Sequence, residues 1–341
     1  MTRIDDVARL AGVSTATVSR ALRGLPTVSA ATRARVLAAA GQLGYTASPS
    51  ASRLAGGRTG TIAVVVPWIT RWFFGTVIAA AEETLQQAGY DMLLYNLGGE
   101  ENARQRLLRT TNLHKRADAV MLVATPMNAA DVETLIGGAL TGVTVSSGTV
   151  VPGWPCVRID DVTAARTAVR HLVDLGHRRI AHISGDSTEE LAYTAHLDRR
   201  RGYREELRAA GILPDPRLDV EAPFTVDGGS IAAAELLRRA PLPTAIFAAC
   251  DEMAMGAMAT LRSAGLRVPE DISVIGVDDH DLAVVVGLST VAQPAADQGR
   301  VAADLLLDAL CGRPDAHAAA TPVILPTRLV VRGSTAPPRA D

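Results

Sequence analysis

The 341-residue sequence predicts a small all-α head of helix-turn-helix type followed by an α/β body of two parallel-sheet subdomains. Three observations carry that prediction. Two short helical periods separated by a glycine open the chain. From Thr61 onward, apolar runs alternate with amphipathic stretches in two successive βα series. Charge is also divided unevenly: residues 1–59 hold eight arginines and two acids, about +6, while the remainder is about −8. A cationic head attracts a phosphate backbone and an anionic body avoids sticking to it.

In the first helix Ile4, Val7, Ala8 and Ala11 recur at helical spacing, and Gly12 permits a tight turn. Ser14 is positioned to cap a second helix whose inward side carries Val18 and Leu22. Thr15, Ala16, Ser19 and Arg20 then face outward. In a major groove, small side chains suit thymine methyls, and an arginine fork suits guanine O6 and N7. The competing reading is an ordinary helical hairpin with a polar face. A third helix follows, with Ser29 as N-cap, Val36, Leu37, Ala40 and Leu43 as its apolar stripe, and Gly44 ending it.

Taken together, Asp6-Val7-Ala8, Ala11-Gly12-Val13-Ser14, Thr17-Val18-Ser19-Arg20, Val28-Ser29, Thr32-Arg33, Arg35-Val36 and Leu43-Gly44-Tyr45 resemble the N-terminal domain of the lactose/galactose-repressor (LacI-type) family of bacterial transcription regulators, over roughly the first 60 residues. The resemblance implies a sequence-specific regulator, a repressor, that binds a pseudo-palindromic operator as a homodimer. Its implied DNA contacts are Thr15, Ala16, Thr17, Ser19, Arg20, Arg23, Ser29, Thr32, Arg33 and Tyr45, continuing to Ser48, Ala51 and Leu54 in the linker.

That linker is rich in Ser, Pro and Gly, yet residues 50–55 are long enough for a short helix. The resemblance implies a hinge helix whose Leu54 wedges the minor groove, where unstacking is offset by a bent duplex that touches more protein. Ala47, Ser48 and Ser52 depart from the proline, asparagine and arginine of the family pattern, so a plain flexible linker stands beside the hinge-helix reading. Domain limits follow: 1–46 for the head, 47–60 for the hinge, and 61–341 for effector binding and dimerisation. Within the body, one subdomain spans about 61–158 plus 288–316 and the other about 159–287 plus 317–333.

For the body, strands are expected at 62–66, 92–95, 119–123 and 143–146, with helices near 74–88, 101–115 and 129–138. The second series places strands at 180–184, 218–220, 245–248 and 273–277, with helices near 162–175, 197–210, 227–239 and 252–264. A helix near 296–311 and a pair of strands around Pro326 close the chain. Gly176-His177-Arg178-Arg179-Ile180, Arg199, Gly202-Tyr203, Asp251, Met253-Ala254 and Ile275-Gly276-Val277-Asp278-Asp279 resemble the periplasmic-binding-protein-like body of the same family. Two such sheets place ligand crevices at the carboxyl ends of their strands, and the cleft between them can close on a small molecule.

Candidate effector contacts are Arg71, Phe73, Phe74, Ser147, Arg199, Phe224, Cys250 and Asp278. Arg199 aligns with the family's effector-binding arginine, against the alternative of a surface helix arginine among Arg200, Arg201 and Arg204. Asp278 directly follows an apolar strand and can accept two hydroxyl hydrogen bonds; a loop or capping role competes. Phe224 offers a stacking face or ordinary core packing. Trp68, Trp72, Phe73 and Phe74 are four of the seven tryptophans and phenylalanines. With Arg71 they suggest stacking and hydroxyl or anion recognition, although a dimer face fits as well. Cys250 and Ser147 stand where the family often has asparagine and aspartate, so the effector differs from that of the best-known sugar repressors. A sugar, sugar derivative or nucleoside-like molecule remains the expected class.

Enzymatic readings find little. His171, His177 and His182 lack metal-ligand spacing, and no P-loop, dinucleotide fingerprint or nucleophile elbow occurs. Cys156, Cys250 and Cys311 are far apart, which suggests neither a disulfide framework nor zinc. No cofactor or metal is expected. Without an apolar signal core or membrane-length run, the expected location is the cytoplasm, with no membrane partner. A solute-binding receptor without a DNA role would explain the body but not the cationic head. The proline-containing tail lacks heptads, so no tetramerising coiled coil is expected.

Overall fold

The computed structural model describes residues 2–22, 24–45, 58–98, 101–110, 113–125, 127, 129–136, 140–148, 151–186, 194–312 and 321–339. Arg23, Ser48, Ala51 and Leu54, and with them the expected hinge helix, lie outside the described residues.

The head consists of α1 (Ile4–Ala11), α2 (Thr15–Leu22) and α3 (Ala30–Gln42). Gly12 takes the left-handed conformation, φ 65°, that the turn between α1 and α2 requires. The Ser14 Oγ accepts from Thr17 N at 3.2 Å and the Ser29 Oγ from Thr32 N at 3.3 Å, satisfying helix-start donors. Val7, Ala8, Ala11, Val18, Ala21, Val28, Val36, Ala39 and Ala40 form a separate core with Leu22, Leu43 and Tyr45 packed against it. Leu37 is not part of it. It is 52% exposed, because the buried face of α3 runs through Ala39 and Ala40 instead.

The body begins with β1 (Thr61–Val66), α4 (Trp72–Gln87), β2 (Asp91–Asn96), α5 (Glu101–Thr110), β3 (Ala119–Val123), α6 (Ala129–Ile136), β4 (Thr141–Val145) and β5 (Cys156–Ile159). These strands are rich in β-branched residues, and β1, β3 and β4 are buried almost throughout, as expected when helices cover both faces of a parallel sheet. The second half runs α7 (Asp161–Asp174), β6 (Ile180–Gly185), α8 (Ala195–Ala209), β7 (Asp219–Ala222), α9 (Val226–Leu236), β8 (Ala245–Ala248), α10 (Asp251–Ser263), β9 (Ser273–Asp278), α11 (Ala283–Val286), β10 (Ser289–Ala292), α12 (Ala295–Leu310), β11 (Val323–Leu325) and β12 (Arg328–Val330).

Strand order is β11-β5-β4-β3-β1-β2 in the first sheet and β12-β10-β9-β8-β6-β7 in the second. All pairs are parallel except β10 with β12. The chain therefore passes between the subdomains three times: between β5 and α7, between β10 and α12, and between β11 and β12. This corrects two expected boundaries. The second passage follows β10, not residue 288, and the third lies at Pro326 and Thr327, not at 316. The strands around Pro326 consequently do not pair with each other; β11 joins β5 and β12 joins β10. The helix expected over 101–115 ends at Thr110, and Leu113–Lys115 is a separate 3-10 turn.

Candidate functional site: an inter-subdomain cleft and a helical reading head

At the carboxyl ends of the strands, both subdomains and the second crossover enclose a cavity of about 50 Å³. Its lining includes Arg71, Phe73, Phe74, Ala124 and Ser146 from the first subdomain, Asp161, Ala195, Arg199, Phe224, Cys250, Glu252 and Asp278 from the second, and Gln293 between them. Since one water needs about 10–15 Å³ of such space, side chains or subdomains must move to admit a sugar-sized molecule.

Seven of the eight side chains expected from sequence converge here: Arg71, Phe73, Phe74, Arg199, Phe224, Cys250 and Asp278. Ser147 does not line the cavity. It is buried one residue past the lining hydroxyl, Ser146, whose φ of 48° turns the backbone at the strand end. Among the described residues, every non-glycine residue with positive φ lies at this strand-end rim: Ala124, Ser146, Asp278 and Asp279. Such conformations cost about 1–3 kcal/mol each and concentrate where a site must be shaped.

The second subdomain supplies most of the charge. Arg199 Nε donates to Asp161 Oδ1 at 2.8 Å and its Nη1 to the Ala249 carbonyl at 2.5 Å, so the guanidinium is fixed before any ligand arrives. Burial works against its charge, but the Asp161 and Asp278 carboxylates outweigh it and raise its pKa. Asp161 is itself raised by burial, with Arg199 pulling the other way. Asp278 accepts from Gln293 Nε2 at 2.6 Å.

Behind Asp278 lies Asp251, whose carboxylate accepts from Thr290 Oγ1 at 2.7 Å and His280 N at 2.9 Å, bracing the loop after β9. A Cβ on Gly276 would fall 2.1 Å from Asp251 Oδ1, which explains the glycine in the Ile275-Gly276-Val277 strand. Burial pushes both aspartates above the ordinary carboxylate range, and the charge of Asp278 adds to the effect on Asp251. Burial also holds the Cys250 thiol well above its usual value, leaving it protonated and a poor nucleophile.

The first subdomain contributes aromatic surface. Phe73 and Phe74 meet edge to face at 5.4 Å, and the Arg71 guanidinium lies 3.7 Å over the Trp68 ring. The Trp72 ring lies 5.2 Å from that of His280 in the other subdomain, tilted by 30°, so this aromatic cluster bridges the two subdomains. Phe224 both packs and lines the cavity: it is buried, and a Cβ on Gly185 would meet its ring at 2.0 Å. The arrangement suits a flat or hydroxylated ring held between aromatic faces and a fixed carboxylate–guanidinium wall.

Sequence reasoning missed Asp161, Glu252, Gln293 and Ser146. Asp161 and Ser146 follow strand ends, so the rule that found Asp278 applies to them as well. Gln293 follows β10, a strand left unread. The three histidines have structural roles. His177 bridges Thr244 Oγ1, Ser273 Oγ and the Ala336 carbonyl at 2.9–3.1 Å. His171 meets Thr335 Oγ1 at 3.0 Å, and His182 stacks on Phe247 at 4.8 Å. Among the described residues, no His, Cys, Asp or Glu group could hold a metal ion.

On the head, Thr15, Ala16 and Arg20 are exposed along one side of α2, with Thr17 and Ser19 half-buried beside them. Ser29 and Thr32 form the cap of α3, and Tyr45 packs on the head's core. Arg33 Nη2 donates to the Leu25 carbonyl at 2.7 Å, bracing the turn after α2.

The profile of bacterial regulatory proteins, lacI family, matches residues 3–48, and that of the periplasmic binding protein-like domain matches residues 169–335. The HTH-type transcriptional repressor CytR of Escherichia coli strain K12 is 36% identical over 336 residues, 97% of this chain and 95% of that protein. The chain belongs to the lacI family. Among solved structures, a CelR–cellobiose complex shares 34% identity at a TM-score of 0.71, covering 98% of this chain and all of that one. The lac repressor dimer bound to operator and the anti-inducer ONPF superimposes with a TM-score of 0.83 at 27% identity, covering 98% and 99%. This lacI-family regulator thus joins a DNA-binding helix-turn-helix to a periplasmic-binding-protein-like body, and its relatives are transcription regulators rather than enzymes. Among the described residues, no helix is long and apolar enough to cross a membrane.

Proposed function

We propose that this regulator represses transcription in the cytoplasm by binding a pseudo-palindromic operator as a homodimer, and that a small carbohydrate-related effector in the inter-subdomain cavity sets its affinity. A sugar, sugar derivative or nucleoside-like molecule fits the lining. The observation that carries the reading is the convergence of Arg199, Asp278, Phe224 and Phe74 on one cavity formed by both subdomains. A ligand shared by two bodies favours one of their arrangements, and only such differential affinity can shift DNA binding. Two further points support the assembly. Leu282, Val284 and Val285 on and beside α11 are 53%, 67% and 76% exposed, an apolar patch suited to a two-fold contact. The lac repressor structure is a dimer on its operator. With two heads, the α2 helices reach successive major grooves, where Arg20 reads a guanine.

The test is a thermal-shift screen of sugars, sugar derivatives and nucleosides, followed by operator titrations at fixed salt. A ligand at about 100 times its Kd adds about 2.7 kcal/mol of stability. Asp278→Ala is expected to lose the effector's influence on operator binding, since a ligand without differential affinity shifts nothing. A full effector response in Asp278→Ala would move the effector site elsewhere.

A further inference from the structure

A line of hydrogen-bonded amides ties the cavity to one end of α12. Gln293 Nε2 donates to Asp278 Oδ1 at 2.6 Å, Gln298 Nε2 donates to Gln293 Oε1 at 3.0 Å, and Ser146 Oγ donates to Gln298 Oε1 at 2.7 Å. Asp278 ends a strand of the second sheet and Ser146 follows a strand of the first. Gln298, in the first turns of α12 and fully buried, therefore spans the two subdomains at the cavity. A primary amide can do this because it donates and accepts at once.

The other end of α12 holds the chain that leads to the head. Arg58 Nη2 donates to the Leu310 carbonyl at 3.0 Å. The last turn of α12 has no basic residue of its own, so Arg58 supplies the cation that a helix carboxyl end favours. Beside it, Thr59 N, Thr59 Oγ1 and Gly60 N donate to the Asp118 carboxylate at 2.6, 3.0 and 2.8 Å. Between its two ends α12 is rigidly backed. A Cβ on Gly299 would fall 2.2 Å from the Val77 carbonyl, so the helix lies directly on the backbone of α4, whose first turn carries Phe73 and Phe74.

We propose that α12 carries the state of the cavity to the DNA-reading head, with Gln298 and Arg58 as the positioning residues at its two ends. The proposal rests on the reading of the cavity as an effector site and of the head as an operator reader. A ligand that donates to the Asp278 carboxylate or accepts from the Ser146 hydroxyl competes with the amide line and shifts the start of α12 against the second sheet. A helix of this length, at ~1.5 Å per residue, delivers that shift ~24 Å away. There it acts on Arg58 and the linker.

Coupling is reciprocal, so operator binding must alter the cavity. Cys250, 5% exposed in the cavity wall, reports this without any effector, because its alkylation by iodoacetamide requires the cavity to open. The experiment uses the full chain with a duplex selected from a random-sequence pool, and reads each cysteine's rate by peptide mass spectrometry. Saturating duplex is expected to change the wild-type Cys250 rate by about fivefold or more, the low end of allosteric coupling factors, and the Gln298→Leu and Arg58→Ala rates by less than about twofold. Arg58→Lys, which restores a cation at the helix end, should recover the change. Duplex affinity and melting temperature separate lost coupling from lost folding. An unchanged wild-type rate on bound duplex, or a full change in either Gln298→Leu or Arg58→Ala, overturns the proposal. A chain that selects no duplex overturns the functional reading, and this inference with it.

Discussion

The two sheets of the body share a strand plan, each completed at one edge by a strand from the last part of the chain, but they bury different chemistry. Strands β1, β3 and β4 of the first place Ile62, Val64, Val66, Met121, Val123, Val143 and Val145 in an aliphatic core. Among its described residues and those of α12, which packs on it, the buried polar side chains are few: Thr125, Thr144, Ser147 and Gln298. The second buries His177, His182, Ser184, Arg199, Glu206, Asp251, Ser273, Asp278, Ser289 and Thr290. Glu206 alone receives Arg166 at 3.0 Å and Arg170 at 2.7 Å, pinning α8 to α7. The difference teaches how the labour is divided. The first subdomain is a stiff apolar platform that presents aromatic rings, and the second is a polar network that fixes charges at the cleft. Networks of this kind are costly when broken and sensitive to pH.

The largest expected effect comes from breaking a charge in the second wall. Arg199→Met leaves Asp161 buried without its partner and should cost about 3–5 kcal/mol in urea unfolding. Arg199→Met combined with Asp161→Leu should recover most of that loss, and equal losses in both would show that the ion pair is not the cause. The penalty should grow with rising pH. Asp161 is already raised by burial, and a folded-state pKa above the unfolded one gives stability at low pH that is lost as the pH passes the folded value.

The comparison sharpens at His182, a buried imidazole on β6 with no counterpart among the described residues of the first sheet's core. Burial lowers its pKa to about 4 from 6.5. Its contribution to stability is therefore complete above the unfolded value and falls between pH 6.5 and about 4 by about 1.4 kcal/mol per pH unit. By NMR the His182 ring should remain neutral at pH 5, and a titration near 6.5 would contradict its burial. The smallest effect belongs to the first wall. Ala124 holds φ 42°, so Ala124→Gly should relieve strain and raise stability by no more than about 1 kcal/mol after glycine's entropy cost. A clear loss in calorimetry would mean that the rim conformation is not strained.

Much of this was legible before the fold was known. Helical spacing and the Ser14 and Ser29 caps located the head's helices. The rule that crevices form at strand carboxyl ends pointed to Asp278, and the resemblance pointed to Arg199. The misses have physical causes. Ser146 and Ser147 differ by one residue, and a positive φ at Ser146, which sequence periodicity does not register, decides which hydroxyl faces the cavity. β10 spans only four residues, too few for a periodic signal. The passage between sheets was misplaced for that reason, and Gln293, which lies in it, went unnoticed. Leu37 reads as core by type, but α3 turns smaller alanines inward.

The threefold passage between subdomains has a consequence for how the molecule is made. The head has a core of its own within the first 45 residues, so it can fold as soon as it leaves the ribosome. The first sheet stays open until β11, at residues 323–325, is synthesised. At about 5–20 residues per second the interval is roughly 14–56 s. During that time each nascent chain carries a finished DNA reader and an unfinished sensor. The late edge strands make the cavity between the sheets the last part of the newborn protein to be completed.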